Sequence, residues 1–339
     1  MNRPLRAAMI GCGMIACTHL AAMRNSGIDV AGIFSIDTSA AARFAELHQV
    51  PLYDSLESLL QDGTDLIAVC TPSGTHADLA VTVMEHGKHA VVEKPVALNE
   101  SDCLRILETE KKTGKFCAPI SQLRFSNTYR TVKAAIDAGR FGKRILASLS
   151  MKYFRSTAYF QNSWRGTRSL DGGGALMNQG IHGIDMMCGL LGYPVSISGH
   201  AATLYHDIEV EDTATASLVF PDGMLGVIDG STAITHARPR RLEICGTQAS
   251  VVIEEDVLVQ AEGIALTGGT HTAIRSWDKP EAISADLHTA QYKNIRAAIC
   301  GEEPLYYTAM DAVNTVRVIL SIYTSSETGT AARPDFPCL

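Results

Sequence analysis

Short apolar runs alternate with amphipathic segments along the first third of the chain. The apolar runs predict strands at residues 7–10, 30–34, 65–70, 89–92 and 116–120. Segments with helical spacing lie between them, among them residues 39–48, 77–86 and 100–113. Continuous apolar strands are typical of a parallel sheet that helices cover on both faces. We therefore predict an α/β first domain over residues 1–121.

The pattern changes after Ser121. One helix is predicted at residues 127–138, and strands then dominate, at residues 144–153, 195–202, 213–220, 224–232, 241–246 and 250–253. The turn at residues 221–223 joins two of these strands in an antiparallel hairpin. Two late helices, residues 286–300 and 309–327, are expected to pack on this sheet and to return toward the first domain. Residues 122–339 are thus predicted to form a second domain.

The strand at residues 213–220 has two faces that are both apolar or neutral. A sheet of this kind needs cover on each face, and helices supply it on only one. We therefore expect a homo-oligomer, a homodimer or a homotetramer that associates through the sheet of the second domain.

The first strand runs into the glycine turn Gly11-Cys12-Gly13 and then into a helix that is expected to start near Met14. Gly11 permits the tight turn, and Gly13 lets the backbone approach a pyrophosphate. Ala16 holds the third position, where a small residue allows the helix to pack on the strand. The free N–H groups at Met14 and Ile15, together with the helix dipole, would bind the phosphates.

The second strand ends at Ser35-Ile36-Asp37, where a dinucleotide-binding fold meets the adenosine ribose. No Arg or Lys follows directly to bind a 2′-phosphate. These residues favour NAD, and NADP remains the alternative. A second interpretation is that Ser35 and Asp37 are turn and N-cap residues of the next helix.

Two later loops at the same edge of the sheet complete the predicted cofactor site. Thr71 and Pro72 should line the cofactor, while His76 either reaches the site or only begins a helix. Glu93-Lys94-Pro95 places a charged pair at the end of a buried strand, where the proline could aim Lys94 inward through a cis bond. The alternative for Glu93 and Lys94 is an ordinary surface pair. The predicted cofactor-binding residues are Gly11, Gly13, Met14, Ile15, Ser35, Asp37, Thr71, Pro72, His76, Glu93 and Lys94.

The segment 163–185 carries most of the candidate chemistry of the second domain. After three glycines at residues 172–174, an α-helix is expected to start near Ala175, with Asn178, His182 and Asp185 on one face. A polar stripe on an apolar helix is costly to bury without a purpose, and a histidine suits proton transfer. A core histidine is one alternative. A metal site at His182 and Asp185 is another, but it lacks a third ligand, so no metal is expected.

Composition narrows the class of protein. The 339 residues carry a net charge of −7, which argues against general nucleic-acid binding, and no apolar run is long enough to span a bilayer. The nine cysteines are scattered without a C-x-x-C pair. We therefore expect reduced thiols in a cytoplasmic protein without nucleic-acid or membrane partners.

Taken together, the glycine turn, Thr71-Pro72, Glu93-Lys94-Pro95 and the segment with Asn178, His182 and Asp185 resemble the Gfo/Idh/MocA oxidoreductase family. The resemblance covers essentially the whole chain. It implies an N-terminal Rossmann domain with a doubly wound parallel sheet. It also implies a C-terminal α+β domain on an open, predominantly antiparallel mixed sheet, and NAD(P)-dependent oxidation or reduction of sugars, cyclitols and nucleotide sugars.

The same resemblance assigns roles to single residues. Lys94 is similar to the active-site lysine of the family and His182 to its catalytic histidine, while Asn178 stands where many members have aspartate. A neutral amide can orient a hydroxyl but cannot act as a base. Asn178 is therefore expected to take part in catalysis by orientation. The predicted substrate contacts are Arg124, Tyr153, Trp164, Arg165, Asn178 and Asp185; for Trp164 and Arg165, core packing and a helix cap are the alternatives.

We expect a dehydrogenase in which a secondary alcohol lies near His182, Lys94 and the nicotinamide. His182 would remove the hydroxyl proton, and Lys94 would stabilise the oxygen. Two other functions stay open on the same fold. One is an NAD-dependent glycosidase that oxidises its substrate transiently; the other is a non-catalytic sensor of sugars or dinucleotides.

Overall fold

The computed structural model describes residues 4–161, 163–266 and 284–336. These residues form two compact units. One unit contains residues 4–122 and 284–312, and the other contains residues 123–266 and 313–336.

Five parallel strands form the sheet of the first unit, in the order β2-β1-β3-β4-β5. They are β1 (Arg6–Ile10), β2 (Asp29–Phe34), β3 (Leu66–Val69), β4 (His89–Val92) and β5 (Cys117–Pro119). All four residues of β3 are fully buried, as expected for a strand with helices on both faces. The predicted parallel sheet is confirmed.

The strand order reverses at β1, because the chain moves outward to β2 and then returns to β3 on the other side of β1. A single parallel bridge between Ile33 and Leu52 extends the sheet beyond β2. In open α/β sheets, ligands bind at the carboxyl ends of the strands beside such a reversal. The loops that follow β1, β2 and β3 therefore lie at the expected nucleotide-binding edge.

Five helices connect these strands: α1 (Ala16–Asn25), α2 (Thr38–His48), α3 (Leu56–Gln61), α4 (His76–Glu85) and α5 (Glu100–Thr113). Their beginnings follow from local sequence. Ser55 and Asn99 cap α3 and α5 by accepting a backbone N–H three residues further on. Gly114 ends α5 in the left-handed conformation, where glycine carries no steric penalty.

Seven strands form the sheet of the second unit, in the order β12-β11-β10-β6-β9-β8-β7. They are β6 (Arg144–Lys152), β7 (Ser196–Ala202), β8 (Thr213–Val219), β9 (Leu225–Ser231), β10 (Arg241–Gly246), β11 (Ser250–Glu254) and β12 (Val257–Glu262). Only the pair β6–β9 is parallel. The open, mostly antiparallel mixed sheet is confirmed, while the additional strand β12 was not predicted.

One face of this sheet is buried and the other is exposed. In β8, Ala214, Ala216 and Leu218 point into the core, whereas Ser217 and Val219 point outward. The helices of this part of the unit are α6 (Asn127–Asp137), α7 (Thr157–Phe160) and α8 (Ile181–Leu191). Helix α8 packs against β6 and α6, so it covers the buried face.

Two late helices follow, α9 (Asp286–Ile299) and α10 (Ala309–Thr328). Helix α9 packs against α1 and contributes Tyr292 and Ile295 to the core of the first unit. Helix α10 begins in the first unit and continues into the second. Within the described residues, we find no helix that combines the length and the apolar character needed to cross a bilayer.

Burial lowers the pKa of three histidines that the structure describes in the first unit. Burial lowers the pKa of His19 and of His76, and burial together with the charge of Lys115 lowers the pKa of His89 to about 4. The unfolded chain binds protons at these sites from about pH 6.5 downward, but the folded chain does not. The free energy of unfolding therefore falls as the pH drops from about 6.5 toward 4.

The substitution His89→Gln tests this pH dependence. Glutamine can still accept the N–H of Phe116, as His89 Nδ1 does at 3.3 Å, but it does not titrate. We expect the melting temperature of this variant to fall a few degrees less than that of the parent between pH 7 and pH 5. The exposed His86, changed to Gln, is the control and should retain the parental slope. Equal slopes in all three proteins would contradict the assignment.

Candidate active site

The glycine turn after β1 can be formed only by glycine at its first position. Gly11 has a φ of 96°, and its N–H donates to the carbonyl of Phe34 over 2.8 Å. A Cβ at this position would lie 2.6 Å from the carbonyl oxygen of Cys70. Gly11 therefore brings the ends of β1, β2 and β3 close together at the predicted nucleotide-binding edge.

The N-terminus of α1 is open to an anionic ligand. Ile15 occupies the N-cap and provides no side-chain acceptor. Within the described part of the chain, the N–H groups of Gly13, Met14 and Ile15 have no hydrogen-bond acceptor. A Cβ on Gly13 would find its nearest neighbour 4.0 Å away. These free donors and this space fit the pyrophosphate of a dinucleotide.

The residues after β2 divide into two roles. Ser35 follows the strand directly and is half-buried, which suits a position beside a ribose. Asp37 caps α2, since its Oδ1 accepts the N–H of Ala40 at 2.9 Å. The structure confirms the N-cap interpretation of Asp37, and a contact of either residue with the cofactor stays a prediction.

His76 joins the loop after β3 to the loop after β4. Its Nε2 lies 2.9 Å from the carbonyl oxygen of Thr71, and its Nδ1 lies 2.7 Å from that of Pro95. The hydroxyl of Thr75 donates to the carbonyl of Pro72 in the same loop. His76 thus holds two site-forming loops together, and its predicted contact with the cofactor is a separate hypothesis.

Glu93 is buried at the end of β4, and Lys94 beside it is half-buried. The Lys94–Pro95 peptide bond is cis. The backbone N–H of Lys94 donates to Glu93 Oε2 at 3.2 Å, and His19 Nε2 lies 2.8 Å from Glu93 Oε1. The surface-pair alternative is therefore wrong for Glu93, whose carboxylate is tied into the core of the unit.

A buried polar network surrounds this carboxylate. His19 Nδ1 lies 2.7 Å from the hydroxyl of Tyr292, and His288 Nε2 lies 3.9 Å from Glu93 Oε1. Burial alone would raise the pKa of Glu93, but His19 and His288 hold that pKa well below its ordinary value. Burial lowers the pKa of His19, so a neutral ring that donates from Nε2 to Glu93 and accepts from Tyr292 satisfies both contacts.

The sequence did not reveal this network. One candidate ligand atom from each of His19, Glu93 and His288 lies within 4.8 Å of the others, although the three residues come from α1, the end of β4 and α9. Their separations along the chain follow no ligand spacing. The available signals were Glu93, a carboxylate at the end of an apolar strand, and His19, a histidine within the largely apolar sequence of α1.

The segment before α8 differs from the predicted helix. Residues 175–180 form a π-helical stretch, and the α-helix begins only at Ile181. The predicted start of a helix at Ala175 is confirmed, but the α-helical spacing expected from that residue onward is wrong for residues 175–180. The carboxylate of Glu211 accepts the N–H groups of Gly174 and Leu176 at 2.9 and 2.8 Å, and the hydroxyl of Tyr323 donates to it. These contacts hold the start of the stretch in place.

Asn178 and His182 lie on consecutive parts of this segment. Asn178 is buried in the π-helical stretch, its amide N–H donates to Asp171 Oδ1, and its Oδ1 accepts from Gln179 at 3.1 Å. His182 is half-buried in the first turn of α8. The amide of Asn178 is thus oriented by neighbours, as a group that positions a hydroxyl would need to be.

Arg124 and Asp185, two predicted substrate contacts, pair with each other. Nε and Nη2 of Arg124 donate to the two carboxylate oxygens at 2.9 and 2.8 Å, and the side chains are only 8% and 4% exposed. The hydroxyl of Thr315 also donates to Asp185, and Arg124 donates to the hydroxyl of Tyr129. Both residues have a structural role here, and their contact with substrate stays a prediction.

The remaining predicted substrate contacts are Tyr153, Trp164 and Arg165. Tyr153 is buried, and burial raises its pKa to about 12. Trp164 and Arg165 are half-buried, and the Arg165 Cζ lies 4.9 Å from the centre of the Trp164 ring and 4.7 Å from that of Tyr159. The side chain of Arg165 packs on two aromatic rings, which argues against the alternative that it caps a helix.

A glycine turn before an open helix N-terminus, at the reversal of a parallel sheet, is typical of a dinucleotide-binding protein, and here a second unit on an open mixed sheet accompanies it. Residues 5–120 match the oxidoreductase family with an NAD-binding Rossmann fold, and residues 129–252 match the GFO/IDH/MocA C-terminal domain. The chain belongs to the Gfo/Idh/MocA family. The predicted NAD cofactor and the predicted class of enzyme, a dehydrogenase, are thereby confirmed.

Named relatives include two cyclitol enzymes. The scyllo-inositol 2-dehydrogenase (NAD(+)) of Bacillus subtilis is 30% identical over 59% of this chain and 58% of its own length. The alignment thus spans little more than half of that relative. The myo-inositol 2-dehydrogenase of Thermotoga maritima is 26% identical over 73% of this chain and 74% of its own length.

Among solved structures, the WlbA dehydrogenase of Chromobacterium violaceum, in complex with NADH and UDP-GlcNAcA, is similar over 100% of this chain and 98% of its own. The TM-score is 0.89 and the identity 26%. A levoglucosan dehydrogenase complex, at 20% identity and a TM-score of 0.84, shares the fold.

The ion pair of Arg124 and Asp185 can be tested directly. We expect Arg124→Leu to lower the free energy of unfolding by about 3–5 kcal/mol, because Asp185 would be left buried without its cation. The double variant with Asp185→Leu should recover most of this loss. Denaturant unfolding measures both effects.

The exposed pair Lys112–Glu85 provides a control, since Lys112→Leu should cost only about 0–1 kcal/mol. An Arg124→Leu protein as stable as the parent, with only a raised KM, would instead favour substrate binding.

Proposed function

We propose that the chain is an NAD-dependent dehydrogenase that oxidises a secondary alcohol of a sugar, cyclitol or nucleotide sugar, or reduces the matching ketone. The observation that carries this proposal is the exposed set of free N–H groups at Gly13, Met14 and Ile15, in a chain of an NAD-binding family. The named relatives act on inositols, and one structural neighbour holds UDP-GlcNAcA, which supports this range of substrates.

The residues of the first unit would hold NAD as follows. Gly13 would leave room for the pyrophosphate, whose charge the N-terminus of α1 would stabilise, while Gly11 forms the turn that precedes this helix. Ser35, Thr71 and Pro72 stand at the ends of β2 and β3, where they would line the nucleoside parts. Bound NAD supplies a hydride acceptor, and the chemistry of the protein is confined to positioning and proton transfer.

His182 and Lys94 carry the proposed chemistry at the substrate. A neutral His182 accepts the proton of the alcohol, because an imidazole changes its charge near neutral pH. The ammonium group of Lys94 donates a hydrogen bond to the same oxygen and stabilises the negative charge that develops there. Asn178 orients the hydroxyl but cannot remove its proton.

The surroundings of Lys94 support its role. Its backbone is tied to Glu93, and Glu93 is held in turn by His19 and His288. A strand end fixed by a buried network can present a side chain with little conformational freedom, which lowers the entropic cost of reaching the transition state.

Single substitutions test these roles. We expect His182→Ala and Lys94→Met each to lower kcat at least about 100-fold. NADH binding to the His182→Ala protein should stay within about two-fold of the parent, since His182 is not among the residues predicted to bind the cofactor. NADH production from a panel of polyols, sugars and nucleotide sugars measures turnover, and fluorescence titration measures NADH binding.

The exposed His86, changed to Ala, is the matched control and should leave both quantities unchanged. If the His182→Ala enzyme turned over within a few-fold of the parent, the proposed base would be wrong.

We further propose that two or four copies associate through the exposed face of the second sheet. Leu146, Leu225 and Val219 stand side by side across β6, β9 and β8, and Val227 lies in the next row on the same face. Each of these four side chains is between 39% and 53% exposed, in a surface of small polar residues. A contiguous apolar row of this kind is typical of a protein interface.

The substitution Val227→Glu tests the assembly. A buried, unpaired carboxylate would oppose the contact, so we expect the molar mass from light scattering to fall toward that of a monomer. Leu47→Glu on the surface of α2, where the side chain is 77% exposed, should leave the mass unchanged. A monomeric parent, or a Val227→Glu protein of parental mass, would contradict the proposal.

A further inference from the structure

Within the described residues, Arg155 is a buried cation without a carboxylate partner. The described part of the second unit contains three buried arginines, Arg124, Arg155 and Arg240, at 7%, 5% and 4% exposure. Arg124 pairs with Asp185 at 2.8 Å and Arg240 with Glu255 at 3.4 Å. Among the residues that the structure describes, no carboxylate pairs with Arg155.

The contacts of Arg155 are all with neutral groups. Its Nη1 donates to the carbonyl of Phe154 at 2.8 Å, and its Nη2 donates to Oε1 of Gln179. The guanidinium also lies over the rings of Tyr153 and Tyr159, with its Cζ 5.9 and 5.5 Å from their centres. A guanidinium stays protonated at any ordinary pH, so burial without an anion is costly. The other two buried arginines avoid this cost, which suggests that a ligand supplies the missing anion.

A second guanidinium stands at the same aromatic ring. Arg165 Cζ lies 4.7 Å from the centre of the Tyr159 ring, and Nη1 of Arg165 donates to Ser163 Oγ at 3.3 Å. In the described chain, Arg165 has no carboxylate partner either. Two like charges on one ring repel each other, and a shared anion would convert this repulsion into attraction. Arginine pairs are suited to this task because the planar fork binds carboxylate or phosphate oxygens two at a time.

The arginine pair is connected to the proposed substrate segment within the same unit. Gln179, which accepts from Arg155, donates from Nε2 to the hydroxyl of Tyr159 at 2.9 Å and to Oδ1 of Asn178 at 3.1 Å. The backbone of Arg155 is fixed as well, because its N–H donates to the carbonyl of Thr232 at 2.8 Å. An anion held here would therefore be linked through one side chain to Asn178.

We propose that Arg155 and Arg165 bind a negatively charged group of the substrate, either a sugar carboxylate or a phosphate ester. This inference rests on the proposed dehydrogenase function and narrows it, since neutral polyols would then be poor substrates. Arg155 would be a specificity-determining residue, and Tyr159 would hold the two guanidinium groups apart at a fixed distance.

Matched substrate pairs test the proposal. The pairs are D-glucuronate with D-glucose, D-glucose 6-phosphate with D-glucose, and UDP-glucuronate with UDP-glucose. We expect kcat/KM to be at least about 10-fold higher for the charged member of one pair. The pair that shows this difference tells whether the site recognises a carboxylate or a phosphate. In Arg155→Gln and Arg165→Gln the ratio within that pair should fall at least about 10-fold, through KM. The exposed Arg168, changed to Gln, should leave the ratio unchanged.

A binding measurement separates this inference from the proposed function. Calorimetric titration of the NADH-loaded parent with the charged sugars should show binding that Arg155→Gln and Arg165→Gln each weaken at least about 10-fold. Such binding without turnover of any sugar would refute the dehydrogenase and leave the anion site standing. Turnover of neutral sugars with ratios that neither variant changes would refute the anion site and leave the dehydrogenase standing. Thermal unfolding shows whether each variant is folded. If Arg155→Gln does not fold, the Arg165→Gln variant tests the proposal.

Discussion

The carboxylate of Glu93 is removed from water at the end of β4, and it is stable there only because donors surround it. His19 comes from α1, His288 from α9, and the backbone N–H of Lys94 completes the set. A buried charge that loses its partners costs several kcal/mol, so these elements must lie where they do. The pairing therefore ties a late helix to the first strands of the nucleotide-binding sheet and fixes the backbone of Lys94.

Buried carboxylates must be satisfied in the second unit as well, where different partners do so. Glu211 is buried against the start of the π-helical stretch, where backbone N–H groups and the hydroxyl of Tyr323 satisfy it. Asp185 on α8 is satisfied by Arg124 and by Thr315 of α10. Glu211 and Asp185, each with its hydrogen-bond partners, thus hold the two ends of the segment that carries His182. Arg155 differs from these satisfied groups. The difference is informative because the other buried arginines described in this unit, Arg124 and Arg240, each pair with a carboxylate.

Local patterns explain what could be predicted and what could not. The strands of the first sheet were identified because parallel buried strands have continuous apolar sequences, and Gly11 because only glycine adopts its backbone conformation. The π-helical stretch was missed because it depends on Glu211, which lies 35 residues from Leu176 in the sequence. The pairing of Arg124 with Asp185 was not predicted for the same reason: a polar stripe on a helix has the same sequence whether it binds a ligand or another side chain.

The sequence by itself determined the parallel first sheet, the glycine turn and the family, because each depends on residues close together or on motifs in a set order. Only the tertiary structure decided which buried polar and charged groups are paired, since the partners are far apart in the chain: His19 and Tyr292 are separated by 273 residues, and Arg124 and Asp185 by 61. Electrostatic pairing depends on distance in space, and a linear pattern carries no information about that distance.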